Sequence, residues 1–116
     1  MGVDVYARCA EQDALDADLM AAGLDENLRR CDILMWKSAF EYCTSHDVDD
    51  LQWTEVGVDA VRTFASTCRD VLSVTPVDLE WTHESSKRTV CVYHGLVKLQ
   101  TYLDVAVKHG AILVVC

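Results

Sequence analysis

The sequence has little proline, few glycines and no long hydrophobic run. One proline and five glycines occur in 116 residues. The glycines are scattered, so the glycine-rich motifs that cradle nucleotide phosphates are absent. The longest unbroken apolar run, Ala111 to Cys116, is far shorter than the roughly 20 residues that a membrane span requires. These features disfavour a nucleotide-dependent enzyme and predict a protein that has no membrane-spanning segment.

Basic residues are also scarce. The chain has 10 Lys and Arg against 19 Asp and Glu, a formal net charge of −9. Residues 1–60 hold fourteen acidic and four basic residues, a net charge of −10, whereas residues 61–116 carry +1. Because nucleic acid repels such a surface, we expect no direct nucleic-acid binding. The asymmetry instead predicts a protein partner with a basic surface. The alternative is that the acidic residues serve only solubility.

The six cysteines show neither metal-ligand nor redox-motif spacing. No pair has C-x-x-C spacing, and the four histidines form no H-E-x-x-H motif. Residues 47–58 do not fit the calcium-binding loop of an EF-hand, because Gln52 and Val58 stand where glycine and glutamate are required. Asp4 and Arg8 interrupt the start, so it lacks the apolar region of a secretory signal. We therefore expect reduced, mostly buried thiols, a cytoplasmic location, and neither metal nor cofactor.

Both ends of the chain predict β-strands. Apolar and polar residues alternate over residues 2–9, the period of a half-buried strand. At the other end, residues 111–115 are apolar on both faces and follow Gly110, a typical helix-ending residue. The length is that of a single domain, here residues 1–116. We expect the two terminal strands to pair in a small sheet.

The region between these strands predicts helices. Apolar residues recur at helical spacing over residues 11–22, 26–43 and 88–109, and also after Thr54, which is a suitable N-cap. Residues 46–50 predict a polar loop. Residues 75–81 fit either a helix that begins at Pro76 or a short strand over 77–81. The fold class is therefore α+β, a two- or three-stranded sheet formed by the chain termini and covered by three to five helices.

The candidate binding residues are acidic side chains and two tryptophans. Three aspartates lie on the first predicted helix and three in the polar loop. Two tryptophans lie beside polar loops, where an exposed aromatic side chain can anchor a partner. The proposed partner-binding residues are Asp13, Asp16, Asp18, Asp47, Asp49, Asp50, Trp53 and Trp81.

Three segments resemble parts of uncharacterised small proteins from phages and bacteria. They are the opening MGVDVYA, the FEYC of Phe40 to Cys43, and the ending LQTYLDVAVKHGAILVVC. Those proteins begin with a similar MG-x-D-V-Y strand and end in a helix, a glycine and a short apolar strand closing in Cys. The resemblance covers about forty residues and implies an origin in mobile elements. It transfers no catalytic residue.

The sequence leaves two functional hypotheses. The first is a small acidic non-enzymatic interaction protein, a phage-encoded inhibitor of a bacterial defence system that is anti-CRISPR-like, with an acidic surface that blocks a basic nucleic-acid-binding site. The second is a small enzyme or ligand-binding domain, with His46, His83 or His94 and carboxylates in a pocket assembled from distant residues. Exposed carboxylates favour the first, and a deep pocket lined by a histidine and carboxylates favours the second. The oligomeric state stays open.

Overall fold

A computed structural model describes residues 2–31, 33, 36–82 and 84–116 of the chain. Within these residues the fold is α+β, which confirms the predicted class. The elements, in chain order, are β1 (Val5–Arg8), α1 (Gln12–Ala21), α2 (Trp36–Thr44), β2 (Thr54–Val56), α3 (Val58–Val74), β3 (Glu80–Thr82), β4 (Thr89–Cys91), α4 (Val92–Lys108) and β5 (Ile112–Val115), with short 3-10 helices at Leu28–Arg30 and Val48–Leu51.

The predicted pairing of the two terminal strands is confirmed. β5 is the central strand of a three-stranded antiparallel sheet, with β1 on one side and β2 on the other. Val5 lies opposite Val115. The ladder continues beyond it, because the Asp4 amide donates to the Cys116 carbonyl oxygen at 2.8 Å and the Cys116 amide returns the bond at 2.9 Å. β3 and β4 form a separate antiparallel hairpin.

The core lies between one face of the sheet and the helices. Val5 and Ala7 of β1 and Leu113 of β5 are almost completely buried, whereas the alternate strand residues are half-buried. α3 packs on α4, and α1 and α2 also contact α4. Tyr102 of α4 is the largest fully buried side chain. Its hydroxyl accepts from the Ala7 amide at 2.9 Å and donates to a carbonyl oxygen of the α1–α2 connection, so one polar group ties α4 to both segments.

The helix predicted over residues 26–43 is wrong in its first part. Leu28–Arg30 form a 3-10 helix instead, and α2 begins at Trp36. Asn27 explains the difference, because its side chain caps the 3-10 turn and also accepts from the Val5 amide at 3.2 Å. An asparagine held at the sheet edge ends the local pattern that predicted a continuous helix.

The start of α3 also differs from prediction. Thr54 is not its N-cap but the first residue of β2, and α3 begins at Val58 after Gly57. The backbone of Thr54–Val56 pairs with β5, and threonine is β-branched, which favours a strand. A distant strand thus outweighs a local capping preference.

Glu80–Thr82 and Thr89–Cys91 pair as a hairpin, where the sequence also allowed helical segments. Of the two alternatives for residues 75–81 the strand is correct, although β3 lies at Glu80–Thr82. The last long helix does not extend back to Arg88, because Thr89–Cys91 pair with β3 and α4 begins at Val92. His83 lies outside the described residues.

All six cysteines are free thiols. Cys31, Cys43 and Cys68 are buried and the other three are half-buried. The Cys68 thiol donates to the Leu96 carbonyl oxygen at 3.7 Å. The neighbouring Cys43 thiol and burial raise the pKa of Cys68 above its usual range, so its thiol stays protonated.

Candidate functional site

The polar loop predicted over residues 46–50 is an ordered acidic turn. Val48–Leu51 form a 3-10 helix, and the Asp47 carboxylate caps it by accepting from the Asp49 amide at 2.9 Å. Val48 is buried and anchors the turn. Asp49 contacts the Lys37 ammonium of α2 at 3.0 Å, whereas Asp50 is exposed. Val48 and the Asp47 cap therefore hold the backbone of this turn in place, and the carboxylates of the turn lie at the surface.

Trp53 follows the acidic turn with its side chain in solvent. The residue is 80% exposed and its φ angle is 68°, in the left-handed region. Its amide donates to the Val115 carbonyl oxygen at 2.7 Å, which fixes this backbone against β5. A left-handed conformation costs a non-glycine residue about 1–2 kcal/mol. The fold thus holds a large aromatic side chain outward at an energetic cost.

β2 continues from this tryptophan as an edge strand of the described sheet. In the described sheet it pairs with β5 alone, with Glu55 opposite Val114. The strand has three residues, and Glu55 is charged and exposed, features that discourage pairing with another strand. What this edge presents to solvent is therefore chiefly its side chains. We call this region the Trp53 surface; it comprises Asp47, Asp49, Asp50, Trp53 and Glu55.

The three aspartates of α1 have different environments. Asp13 is exposed, and the Asp16 carboxylate accepts from the side-chain Nε2 of Gln12 at 2.9 Å. The Asp18 carboxylate contacts Lys108 Nζ at 2.9 Å and His109 Nε2 at 2.7 Å. The hydrogen bond from Lys108, and after it the one with His109, holds the pKa of Asp18 below its usual value. Asp18 therefore ties α1 to the end of α4.

The two acidic groups predicted from the sequence belong to different parts of the fold. α1 packs on α4, whereas the acidic turn packs on α2. Trp81 differs from Trp53, because it is half-buried on β3 opposite Val90. Trp53 and the acidic turn of residues 47–50 are thus neighbours in the chain, and Trp53, Asp47, Asp49 and Asp50 are all exposed.

A pocket that the sequence analysis missed lies between α2, α4 and the segment before β3. Its volume is about 260 Å³ and its walls are almost entirely apolar. A more open polar depression of about 440 Å³ adjoins it along α2. The first, here called the α2–α4 pocket, is lined by Ser38, Ala39, Tyr42, Thr75, Leu79, Val92, Gly95 and Leu96; the second, the α2 depression, by Ser38, Glu41, Tyr42 and Ser45.

The histidines of the alternative hypothesis do not line either of these two depressions. His46 is exposed, with its ring 6.0 Å from that of Phe64, and His94 is exposed on α4. His83 is outside the described residues. Among the residues that the structure describes, no three His, Cys, Asp or Glu side chains are placed to hold a metal ion.

No helix in the described part of the chain has the length and apolar character needed to cross a membrane. Comparisons with protein-family models, with curated proteins and with solved structures find no match to the chain.

Proposed function

We propose that the protein is a non-enzymatic interaction module that binds the basic surface of a protein partner through the Trp53 surface. The observation that carries the proposal is Trp53 itself, 80% exposed on a left-handed backbone. Strained residues in folded proteins concentrate at sites of function. Tryptophan is also the residue type most enriched at the energetic centres of interfaces.

The charge around Trp53 supports a basic partner. Asp50 and Glu55 are exposed, and among the described residues neither has an ionic partner. The half-chain that contains them carries a net charge of −10. Such a field accelerates encounter with a positive surface, and an aromatic anchor then slows dissociation. The two features together provide steering and retention.

The partner class that we propose is a nucleic-acid-binding protein whose basic site the acidic surface blocks. Carboxylates on a folded surface can occupy positions that otherwise receive phosphates, because both present anionic oxygen acceptors to Lys and Arg. An inhibitor of a bacterial defence system, such as an anti-CRISPR protein, would act in this way. Its partner would bind either this protein or nucleic acid, but not both.

The alternative, an enzyme with a histidine–carboxylate pocket, has less support. Of the three candidate histidines, the two that the structure describes are exposed and lie outside both depressions. A histidine that acts as a general acid or base must lie within hydrogen-bond reach of the bound substrate. The exposed carboxylates instead match the interaction hypothesis.

The test combines capture and kinetics. The protein is immobilised, partners are captured from a bacterial lysate at low and high salt, and the association of a captured partner is then measured. The variant D47N/D49N/D50N removes three charges but keeps the cap at position 47, since asparagine caps helices as well as aspartate does. We expect slower association and a flatter salt dependence. W53A should instead accelerate dissociation, by about thirtyfold or more.

The matched control is D70N/D78N/E84Q, which removes three exposed charges from the other half of the chain. It changes the net charge equally, so an effect of total charge alone would appear in both triple variants. Equal effects of the two would contradict recognition by the Trp53 surface. So would a W53A protein that is folded and binds with unchanged dissociation, or a partner that binds this protein and nucleic acid at the same time.

A further inference from the structure

The α2–α4 pocket has an open apolar rim. Tyr42 of α2 is 71% exposed and Leu79 is 45% exposed, and both line the pocket. The Leu79 wall is fixed, because its carbonyl oxygen accepts from the Val92 amide at 3.0 Å. Val74 and Val77, which are near the lining residue Thr75 in the chain, are also exposed. Apolar side chains gathered around a concavity mark a binding surface.

Gly95 lines the pocket without contributing a side chain of its own. It lies within α4, where glycine is less favourable than alanine by about 1 kcal/mol. Among the described residues, a Cβ at this position would meet the Ile33 Cγ2 atom alone, at an ordinary contact distance of 3.4 Å. Packing against the described residues therefore does not require glycine. What the missing side chain provides is room in the pocket that Gly95 lines.

The adjoining α2 depression adds a negative charge. Glu41 lines it and is exposed, and among the described residues no cation lies within ion-pair distance of its carboxylate. The nearest basic residue on the same helix, Lys37, is paired with Asp49. An apolar pocket and an unneutralised carboxylate thus lie side by side, with Tyr42 between them.

We propose that this site binds a segment of a protein partner in which a bulky apolar residue is adjacent to a lysine or arginine. The apolar side chain fills the α2–α4 pocket, and the cation lies beside Glu41. About 260 Å³ is below the usual range of pockets for whole small molecules. A small molecule would also leave the rim exposed, whereas a peptide covers it. The site does not depend on the Trp53 surface.

The probe is a short blocked helical peptide with leucines at i, i+3 and i+4 and lysines at the flanking positions. Two control peptides replace either every leucine with alanine or every lysine with glutamate. Binding is measured by titration, and the site is mapped by amide chemical-shift changes in the labelled protein. We expect the leucine–lysine peptide to bind most tightly, with shifts centred on Ser38, Tyr42, Leu79 and Gly95.

Two variants separate binding from folding. G95A places a methyl group in the pocket and should weaken the peptide about tenfold. The same change should raise the melting temperature by about 3–6 °C, because alanine favours the helix. Its control, S66A on the exposed face of α3, also favours a helix and should leave binding unchanged. E41Q should weaken the peptide about threefold, and E11Q should not.

Several outcomes would overturn the proposal. One is equal binding of the alanine control peptide, which would reduce the interaction to charge. Another is a G95A protein with a raised melting temperature and unchanged affinity. A third is saturation of the pocket by an apolar small molecule such as octanol while the peptide fails to bind, which would make it a small-molecule site. Shifts centred on Trp53 would place the peptide on the other surface.

Discussion

The backbone conformation of Trp53 predicts an unusual order of stability among its variants. Ala, Gly and Asn substitutions all remove the exposed ring. They differ in how each residue tolerates a φ angle of 68°. Glycine adopts it freely, asparagine readily, and alanine only with strain.

The magnitudes follow from burial and strain. About a fifth of Trp53 is buried, roughly 40 Å² of a tryptophan surface near 200 Å². Its loss costs about 1 kcal/mol in every variant. W53A retains the left-handed penalty of about 1–2 kcal/mol. W53G removes that penalty but loses about 0.5–1 kcal/mol to the greater freedom of the unfolded chain. We therefore expect the free energies of unfolding of W53G and W53N to be about 0.5–1 kcal/mol higher than that of W53A and close to that of the native protein.

Urea unfolding followed by far-ultraviolet circular dichroism measures this order. The signal does not depend on the tryptophan that is removed, and equal slopes against urea would show that the unfolding reaction is comparable. An alanine variant as stable as the glycine variant would refute the reasoning, because it would mean that residue 53 is not left-handed in solution. All three variants should bind a partner more weakly than the native protein, whatever their stability.

Three further predictions concern the rest of the fold. Y102F leaves the buried Ala7 amide without its acceptor and should lower the free energy of unfolding by about 1–3 kcal/mol in urea; no loss would mean that water replaces the hydroxyl. D18N should be less stable than the native protein at neutral pH. Lys108 and His109 lower the folded pKa of Asp18. The extra stability of the native protein is therefore present above the ordinary pKa of 3.8 and is lost as the pH falls through the folded pKa, so the free energies of unfolding of the two proteins should converge in acid. Reductant should leave the melting temperature unchanged, since all six thiols are free; a fall of many degrees would reveal a disulfide.

The elements that the sequence predicted well are those whose pattern is complete within one segment. β1 alternates without interruption, and α1 ends where Gly23 adopts a positive φ of 76°. α4 ends in the same way at Gly110. Local periodicity and helix-ending glycines specify such elements without reference to the rest of the chain.

The elements that it predicted wrongly depend on distant partners. Thr54 fits both an N-cap and a strand, and the choice is made by β5, about sixty residues further along the chain. Asn27 interrupts a helical pattern because its side chain bonds β1. The sequence contains both residues but not the pairing that decides their roles.

The candidate sites show the same division. The acidic turn and the exposed Trp53 could be proposed from polar neighbours in the sequence. The left-handed angle of Trp53 could not, since tryptophan has no preference for it. The α2–α4 pocket is built from three separated segments, and its one local indication is Gly95, an unexplained glycine within a strong helical stripe.

The central position of β5 has a consequence for the kinetics of folding. Val5 and Val115 meet across almost the whole chain, so the sheet closes only after a very long loop has been brought together. Closing a loop of about 110 residues costs about 2 kcal/mol more than closing one of ten. Native contacts of such long range slow folding. We therefore expect the helical segments to form before the sheet closes. Asp4 and Cys116 are already hydrogen-bonded to each other. A circular permutant that joins residue 116 to residue 2 would therefore make the β1–β5 contact a local hairpin, and we expect it to fold faster.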